Sequence, residues 1–404
     1  MDCTRKLTQG VYWVGGSDRR LALFENLFPV PRGVSYNSYL ILDEKTALMD
    51  TADIAILRQF MDNVLGALDG RALDYLVVDH MEPDHCAAID ELCRRFPEMK
   101  VVGNAKTFNL MRQFYQIDLA GRTVEVKEGD SLDLGSRRLT FVMAPMVHWP
   151  EVMMAYEETE GLLFSADAFG TFGALDGVLF NDEVNFPRDW LDDARRYYGN
   201  IVGKYGPQVQ AAVKKLAGRD IQMICPRHGP IWRRDTPWLL DKYGQWSAYT
   251  PECQGVAILY GSMYGNTECA AQRLACALAD AGVTELVVHD VSSTHVSDLV
   301  AEVFRYSHLV LASPTYNSGI YPAMLNFLHD MKALNLQKRT VGLVENGSWG
   351  PMAAKHMTAL LGEMKEMTVL EPVVTIRSAL NGDSLAQLDQ LKDAIVGSLG
   401  KTGE

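Results

Sequence analysis

The stretch from Val77 to His85 constrains the fold of this chain more than any other. An apolar run ends at Val78, and four side chains able to bind a metal follow within six positions: His80, Glu82, Asp84 and His85. A buried strand is expected to end near His80 and a helix to begin near His85, so the turn between them directs imidazoles and carboxylates to one place. The sequence therefore predicts one half of a metal cage.

The distribution of histidine predicts the other half. Residues 1–250 contain only four histidines, and the two outside the first stretch, His148 and His228, each follow an apolar, strand-like run. Asp167 ends a further run of this kind. One such histidine alone is more often a satisfied core or surface residue. Four of them at strand ends, with three carboxylates, predict a metal site.

The ligand types favour iron over zinc. The region resembles zinc hydrolases of the metallo-β-lactamase fold, whose motif is His-x-His-x-Asp-His, but Glu82 stands where their second histidine would be. A carboxylate in place of an imidazole hardens the site and adds negative charge.

With these residues the chain resembles the flavodiiron proteins, also called A-type flavoproteins. Their pattern is His-x-Glu-x-Asp-His followed by a histidine, a bridging aspartate and a last histidine. The resemblance implies one iron held by His80, Glu82 and His148, a second held by Asp84, His85 and His228, and Asp167 as the bridge. It also implies an αββα metallo-β-lactamase-like sandwich, which suits a β-rich opening (10–53) and helical spacing over 54–68, 84–96, 106–115 and 191–205.

Two further residues are expected near the metals. Many relatives carry a His-Gly pair lining the cavity where this chain has Leu23-Phe24-Glu25-Asn26, so Glu25 would change the charge of the pocket; a solvated loop acid is the alternative. The segment 195–198 resembles the family segment that places a tyrosine near the metals. Tyr198 is the predicted residue, and packing of a helical tyrosine into the core is the alternative.

Length predicts two domains. A chain of 404 residues is too long for one core. The segment 246–254 loses apolar periodicity and contains a proline, so we place the linker there, with domains at 1–250 and 255–404.

The second domain opens with the pattern of a phosphate site. Val256 to Tyr260 is a buried-strand run, followed by a loop of small and hydroxylated residues (261–267) and a helix to about Ala281. Loop N–H groups, hydroxyls and the helix dipole favour an anion there, and no Gly-Lys-Ser/Thr of a Walker loop follows. Five strand–helix alternations predict a flavodoxin-like, doubly wound, parallel five-stranded sheet.

Three loops at strand ends predict FMN as the cofactor of this domain. Tyr316 and Trp349 are the expected ring contacts. The predicted FMN-binding residues are Ser262, Met263, Tyr264, Gly265, Asn266, Thr267, Pro314, Thr315, Tyr316, Asn317, Asn346, Gly347, Ser348, Trp349 and Gly350.

Charge and cysteine content exclude several classes of protein. A net charge of −13 without a Lys/Arg cluster argues against nucleic acid or an anionic membrane surface as a partner. The amino terminus lacks a secretory signal and no run is long enough to span a bilayer, so a cytoplasmic protein is expected. Seven cysteines without a C-x-x-C pair fit a reducing compartment and exclude a rubredoxin module within the chain.

The predicted function is that of a terminal reductase. The resemblance implies reduction of O2 to water, of NO to N2O, or both, with FMN relaying electrons to two non-haem irons. A metallo-hydrolase fused to flavodoxin, or a non-catalytic FMN and iron electron carrier or redox sensor, are the alternatives.

The resemblance also implies partners. A separate rubredoxin or a reduced deazaflavin coenzyme is the expected electron donor. In the family the two centres of one subunit lie too far apart for rapid transfer, so a head-to-tail homodimer, or a dimer of such dimers, is expected. Trp149 is a candidate for the contact between subunits, and an ordinary core or interface role is its alternative.

Overall fold

A computed structural model describes residues 3–400, which form two compact units. The first contains the chain up to Tyr198 together with Pro207–Gly244. The second contains Gly199–Gly206 and the chain from Gln245 onward. The chain thus contributes a short segment to the second unit before it completes the first.

Within the described residues the first unit contains sixteen strands, twelve of which build two main sheets. One sheet has seven strands in the order β1-β2-β7-β8-β9-β10-β11, and the other has five in the order β12-β13-β14-β15-β16. β3 pairs with β6 and β4 with β5 in two short ribbons. In chain order the strands are β1 Arg5–Thr8, β2 Val11–Trp13, β3 Gly16–Asp18, β4 Leu23–Phe24, β5 Phe28–Pro29, β6 Val34–Tyr36, β7 Tyr39–Leu42, β8 Thr46–Met49, β9 Tyr75–Val77, β10 Lys100–Gly103, β11 Thr123–Glu125, β12 Ser131–Asp133, β13 Arg138–Met143, β14 Met153–Glu157, β15 Leu162–Phe164 and β16 Met223–Cys225.

Apolar side chains between the two sheets form the core of this unit. Tyr39 on β7 and Phe164 on β15 are both buried, and their ring centroids are 5.3 Å apart. The helices are α1 Leu57–Leu68, α2 Pro83–Cys86, α3 Ile89–Arg95, α4 Ala105–Phe114, α5 Phe186–Asp189, α6 Leu191–Tyr197, α7 Gly206–Leu216 and α8 Thr236–Ser247. α1 buries Phe60, Val64 and Leu68 at a spacing of four residues, as an amphipathic helix must. This is the predicted αββα arrangement.

Two predicted helices are interrupted in the structure. The helix expected over 84–96 is divided into α2 and α3, because the carbonyl oxygen of His85 accepts hydrogen bonds from the amide and the hydroxyl of Thr51, both at 2.8 Å. That carbonyl oxygen therefore bonds to Thr51 instead of to an amide of the helix. The helix expected over 191–205 ends at Tyr197 and continues as a π-turn over Tyr198–Val202 and a 3₁₀ turn over Gly203–Tyr205, where the chain packs within the second unit.

The second unit is a doubly wound sheet. Its main strands lie in the order β18-β17-β19-β21-β22, and all of these pairs are parallel. The strands are β17 Cys253–Tyr260, β18 Leu286–Asp290, β19 Tyr306–Tyr316, β20 Gly319–Ile320, β21 Thr340–Asn346, β22 Thr368–Val369 and β23 Val374–Ile376. The helices are α9 Asn266–Asp280, α10 Val296–Arg305, α11 Pro322–Ala333, α12 Ala353–Leu361 and α13 Gly382–Leu399. This is the strand order of flavodoxin-like folds, and β22 and β23 share the fifth strand position beside β21.

The predicted linker is shorter than expected. α8 extends to Ser247 and β17 begins at Cys253, so only the residues between them lie outside regular structure. Within residues 3–400, no helix combines the length and apolarity that crossing a membrane requires.

Buried ion pairs join the ends of three strands in the first unit. Asp50 follows β8, Asp79 follows β9 and Arg227 follows β16. The Arg227 guanidinium lies 2.8 Å from a carboxylate oxygen of each aspartate, and all three side chains are fully buried. Asp50 also accepts a hydrogen bond of 2.6 Å from the amide of Asp79. Because β16 belongs to the second sheet and the other two strands to the first, Arg227 holds the two sheets together at this end.

We expect Arg227→Met to be strongly destabilising. Burial, followed by the charge of Asp50, raises the pKa of Asp79 well above its usual range, and Arg227 acts against this rise, so the charged form of the Asp79 carboxyl group depends on the cation beside it. Removing one partner of a buried ion pair typically costs about 3–5 kcal/mol. Urea unfolding followed by tryptophan fluorescence measures the loss. The triple variant Arg227→Met, Asp50→Asn, Asp79→Asn should recover part of it, and a loss below about 1 kcal/mol in the single variant would contradict the interpretation.

Candidate metal centre and flavin pocket

The predicted metal ligands all lie in segments that follow strand ends of the first unit. His80, Glu82, Asp84 and His85 lie between β9 and the end of α2, whose first residue is Pro83. His148 lies in the loop between β13 and β14, Asp167 follows β15 and His228 follows β16. Ala166 and Met146, next to these ligands, have φ angles of 50° and 65°. Such left-handed conformations cost energy for residues other than glycine and are concentrated at functional sites.

The structure brings the seven residues together as two groups. One contains His80, Glu82, His148 and Asp167, and the other contains Asp84, His85 and His228; within each group the candidate ligand atoms lie within 4.8 Å of one another. In the first group, His148 Nε2 lies 3.0 Å from Glu82 Oε2. In the second, His228 Nε2 lies 3.3 Å from Asp84 Oδ2. Each group offers two imidazoles and one carboxylate of its own.

Asp167 lies between the two groups and directs one oxygen to each. Its Oδ2 lies 3.3 Å from His80 Nε2 and 3.1 Å from His148 Nε2. Its Oδ1 lies 2.9 Å from His85 Nε2 and 3.4 Å from His228 Nε2. A carboxylate in this position suits the bridge between two cations.

Unsatisfied atoms at the centre fit a pair of metal ions. Both carboxylate oxygens of Asp84, Oδ1 of Asp167 and Nε2 of His85 and of His228 are buried and form no hydrogen bond of good geometry within the described residues. Buried polar atoms are costly unless they are paired or bind a metal. The three carboxylates and four imidazoles are also a ligand set that suits iron.

The carboxylates of the centre raise the pKa of histidines beside them. Burial lowers the pKa of His148, but hydrogen bonds to Asp167 and Glu82 outweigh it and raise the pKa to about 9. Burial also lowers the pKa of His228, but the adjacent carboxylates of Asp167 and Asp84 outweigh it and raise the pKa to about 10. The centre therefore attracts positive charge, and metal ions would replace these protons.

Groups behind the ligands orient two of the imidazoles. His228 Nδ1 lies 2.7 Å from the carbonyl oxygen of Ser35, and His80 Nδ1 lies 2.7 Å from Glu151 Oε1. Each contact leaves Nε2 of the ring directed at the centre. Neither Ser35 nor Glu151 is predicted from the sequence, where the only signal for Glu151 is an acidic residue three positions after His148.

The tyrosine beside the centre is Tyr197, which corrects the prediction of Tyr198. The Tyr197 ring centroid lies 5.6 Å from that of His228, and its buried hydroxyl has no hydrogen-bond partner within the described residues. Tyr198 instead packs its ring against Tyr243, with centroids 5.1 Å apart. Adjacent helical residues point about 100° apart, so only one of two neighbouring tyrosines can face the ligands.

Glu25 lies beside Glu82, and its effect on the pocket stays a prediction. It forms the tip of the β4–β5 hairpin with Asn26, and their φ angles are 51° and 55°. Phe24 packs edge-on against the His228 ring at 5.4 Å, which holds the hairpin in place. Glu25 is exposed over much of its surface, but burial of its carboxyl group and the adjacent, hydrogen-bonded Glu82 raise the pKa of Glu25 to about 8.

Trp149 lies against the ligands. Its ring meets that of His80 edge-on, with centroids 5.2 Å apart, and it remains half-buried. Its expected role in a contact between subunits stays a prediction.

The second unit contains a pocket of about 380 Å³ at the carboxyl ends of β17, β19 and β21. It is lined by Ser262, Met263, Tyr264, Asn266, Thr267, Pro314, Thr315, Asn317, Ser318, Asn346, Gly347, Ser348, Trp349, Gly350 and Ser378. Thirteen of the fifteen predicted residues are in this lining. Gly265, with φ 85°, forms the turn into α9 without lining the pocket.

Tyr316, a predicted ring contact, is also absent from the lining. It belongs to the tight β19–β20 hairpin, where its ring lies 6.4 Å from that of Tyr321 and perpendicular to it. Tyr264 occupies the pocket mouth instead and is 92% exposed, and Trp349 is 94% exposed. Ser378 and Ser318 were not predicted. Ser378 follows β23 and exchanges hydrogen bonds with Asn346, a contact between loops that only the folded sheet creates.

The pocket fits FMN. None of the lining residues identified is charged, and hydroxyl and amide groups gather near the first turn of α9, where Thr267 is buried. α9 begins at Asn266, and no side chain caps its first amides. A helix amino terminus with hydroxyls around it binds a phosphate monoester, and exposed aromatic rings suit a planar heterocycle.

Comparison with known proteins identifies both units. Residues 34–229 match the family described as "ODP family beta lactamase", and residues 258–395 match "Flavodoxin". A "Nitric oxide reductase" of Moorella thermoacetica is 33% identical over 392 residues, which are 95% of this chain and 96% of that protein. An "Anaerobic nitric oxide reductase flavorubredoxin" of Aliivibrio fischeri is 32% identical over 363 residues, 89% of this chain and 72% of that protein.

Solved structures agree. The rubredoxin oxygen:oxidoreductase of Desulfovibrio gigas superimposes with a TM-score of 0.90 at 29% identity, covering 98% of this chain and 99% of that one. The flavodiiron protein of Giardia intestinalis gives 0.89 at 24% identity, over 98% of each chain, and this second likeness concerns the fold. The predicted fold class is confirmed. The chain belongs to the flavodiiron family of oxidoreductases, in which a metallo-β-lactamase-like diiron domain precedes a flavodoxin-like FMN domain.

Proposed function

We propose that this chain reduces O2 to water, NO to N2O, or both, at two non-haem irons held by the seven residues of the metal centre. The observation that carries the proposal is the position of Asp167, which directs one carboxylate oxygen to each of two matched ligand groups. Two irons, each giving one electron, would supply the two electrons that a pair of NO molecules requires, and with the two electrons of FMN they would supply the four that O2 requires. Reduction of O2 to two waters takes four electrons and four protons, and conversion of two NO to N2O and water takes two of each.

The side chains around the centre suit a small apolar substrate. Phe24 and Tyr197 lie against the His228 ring, and Phe172 packs on both of them, with ring centroids 5.5 Å and 5.2 Å away. O2 and NO are apolar enough to approach the metal centre past these aromatic rings. Glu25 and the buried hydroxyl of Tyr197 are the groups placed to hold a proton there.

FMN in the pocket of the second unit would collect two electrons from a donor and release them singly. A separate rubredoxin or a reduced deazaflavin coenzyme remains our expected donor. All seven cysteines are free thiols, as a cytoplasmic location would favour.

We further propose a head-to-tail homodimer, alone or paired into a dimer of dimers, in which the flavin of one chain adjoins the metal centre of its partner. Large side chains are exposed at the mouth of the flavin pocket, with Tyr264 and Trp349 more than nine-tenths exposed. Leu27, on the hairpin that carries Glu25, is 54% exposed. Apolar surface of this kind favours contact with another chain. A two-fold pair would give two identical redox units.

Asp167→Ala tests the metal centre. In anaerobic stopped-flow, the reduced native protein should be oxidised rapidly by O2, by NO or by both. Comparing the two rates determines the preferred substrate. Changing a residue behind a ligand typically costs 10- to 100-fold in activity, so loss of the bridge should cost more than about 100-fold. Reduction of FMN by donor should be unchanged. Full turnover in this variant, or stoichiometric zinc in native protein grown with ample iron, would contradict the proposal.

Thr267→Ala tests the flavin pocket. It removes a buried hydroxyl from the first turn of α9, which should cost about 1–3 kcal/mol of FMN binding and raise Kd roughly 5- to 150-fold. Fluorescence titration of the apoprotein with FMN measures this change. Thr358→Ala is the matched control, because Thr358 is exposed on α12 and does not line the pocket. Unchanged affinity in both variants would place the phosphate elsewhere.

Subunit mixing tests the dimer. One parent carries Asp167→Ala, and the other carries Ser262→Asp with Thr267→Asp, which place negative charge at the phosphate site. Both parents should be inactive. Random exchange makes half of the dimers mixed, each with one intact flavin facing one intact centre, so about one quarter of native activity should return.

The control places all three substitutions in one chain and mixes that chain with native protein. Transfer between subunits leaves its mixed dimers inactive, whereas transfer within a chain leaves them half active. Verified mixed dimers of the first experiment that stay inactive would contradict the proposal.

A further inference from the structure

Glu151 connects two of the loops that carry metal ligands. It lies three residues after His148, and its Oε1 is 2.7 Å from His80 Nδ1 and accepts a hydrogen bond of 2.9 Å from the amide of Met81. The side chains of Glu151 and His80 are both fully buried. One carboxylate oxygen thus holds both the ring of His80 and the backbone that follows it.

The position of Glu151 is itself fixed. Its carbonyl oxygen accepts a hydrogen bond of 2.6 Å from Asn104 Nδ2, and Asn104 caps the amino terminus of α4. Its second carboxylate oxygen is buried and has no hydrogen-bond partner within the described residues. The negative charge of Glu151 is therefore offset chiefly through His80.

The two ligand groups differ in what stands behind them. Each has two imidazoles, one carboxylate and one oxygen of Asp167. Behind His228, in the second group, stands the neutral carbonyl of Ser35, also at 2.7 Å. The carboxylates of Asp50 and Asp79 are close as well, but both are paired with Arg227. Glu151 thus places a buried charge behind an imidazole of the first group where the second group has the neutral Ser35 carbonyl.

We propose that Glu151 is a positioning residue that makes the two metal positions unequal. It holds His80 with Nε2 free for the metal and strengthens the ring as a donor, so the position of His80, Glu82 and His148 binds metal more tightly and favours the more oxidised ion. The inference rests on the proposed function, because it assumes metal at both groups. A carboxylate behind a ligating histidine raises the basicity of that ligand.

The test removes the charge and keeps the acceptor. Glu151→Gln retains an oxygen for His80 Nδ1, whereas Glu151→Asp retains the charge on a shorter side chain. The matched control is Glu157→Gln, since Glu157 is a fully buried carboxylate of the same unit paired with Arg137 at 3.3 Å. Protein freed of metal is titrated with Co²⁺ and followed by its absorption. Native protein should bind at two resolved sites.

In Glu151→Gln we expect one site only to weaken, by about 10- to 100-fold. Glu151→Asp should recover part of the loss, and Glu157→Gln should match native protein. In the iron-loaded protein, reductive titration followed by electron paramagnetic resonance should show a smaller separation of the two one-electron steps. A tenfold smaller preference corresponds to about 59 mV.

Three results would overturn the inference: both sites weakening equally, neither site changing, or the same change in Glu157→Gln. If Glu151→Gln does not fold, Glu151→Asp carries the test, because its shorter side chain moves the carboxylate away from His80: a separation of sites smaller than in native protein and in Glu157→Gln supports the inference, and any other result overturns it. Metal binding and spectra do not depend on turnover. A protein with unequal sites that reduces neither O2 nor NO would refute the proposed function and leave this inference intact.

Discussion

Repulsion between carboxylates is the constraint on which the first unit depends. Glu82, Asp84 and Asp167 converge with four histidines, and Asp50, Asp79 and Glu151 stand behind them, all largely or fully buried. Charges taken out of water must be paired or bind a cation. Arg227 neutralises the aspartates at the strand ends. The metal centre in front of them also requires positive charge, and without metal its own side chains supply that charge only as protons on the histidines. Folding at this edge and metal binding therefore depend on the same requirement, which is the neutralisation of buried carboxylates.

The flavin pocket differs from the metal centre in its electrostatics. Its identified lining carries no charge, and the groups placed for a phosphate are hydroxyls, amides and the uncapped amino terminus of α9. Dipoles fixed by the fold can bind an anion without a cationic side chain. Both units place polar residues beyond the carboxyl ends of buried strands, but one site is built from charges and the other from dipoles.

Residues around the metal centre differ between the two metal positions, whereas the ligands themselves do not. The two ligand groups have equal composition, and the difference between them arises from Glu151 behind one ring and the Ser35 carbonyl behind another. Hydrogen bonds to a ligating imidazole change its donor strength. Inequality between the metals is in this way a property of groups that are not themselves ligands.

The sequence by itself determined the ligand types and the class of fold. Four ligands lie within six positions, and the remaining three directly follow apolar runs, so local pattern was sufficient to place them at strand ends. The flavodoxin-like sheet followed from regular alternation of strands and helices, and the FMN loops from their positions after those strands. Local signals of this kind survive folding because each depends on neighbouring residues in the chain.

Only the tertiary structure decided the features that depend on contacts between distant segments. The choice of Tyr197 over Tyr198 depended on the rotation of α6, and the break between α2 and α3 on a hydrogen bond from Thr51. Glu151, Arg227 and Ser378 acquire their roles from partners on other strands. A buried polar group is defined by the partner that satisfies it, and that partner can be read only once the chain has folded.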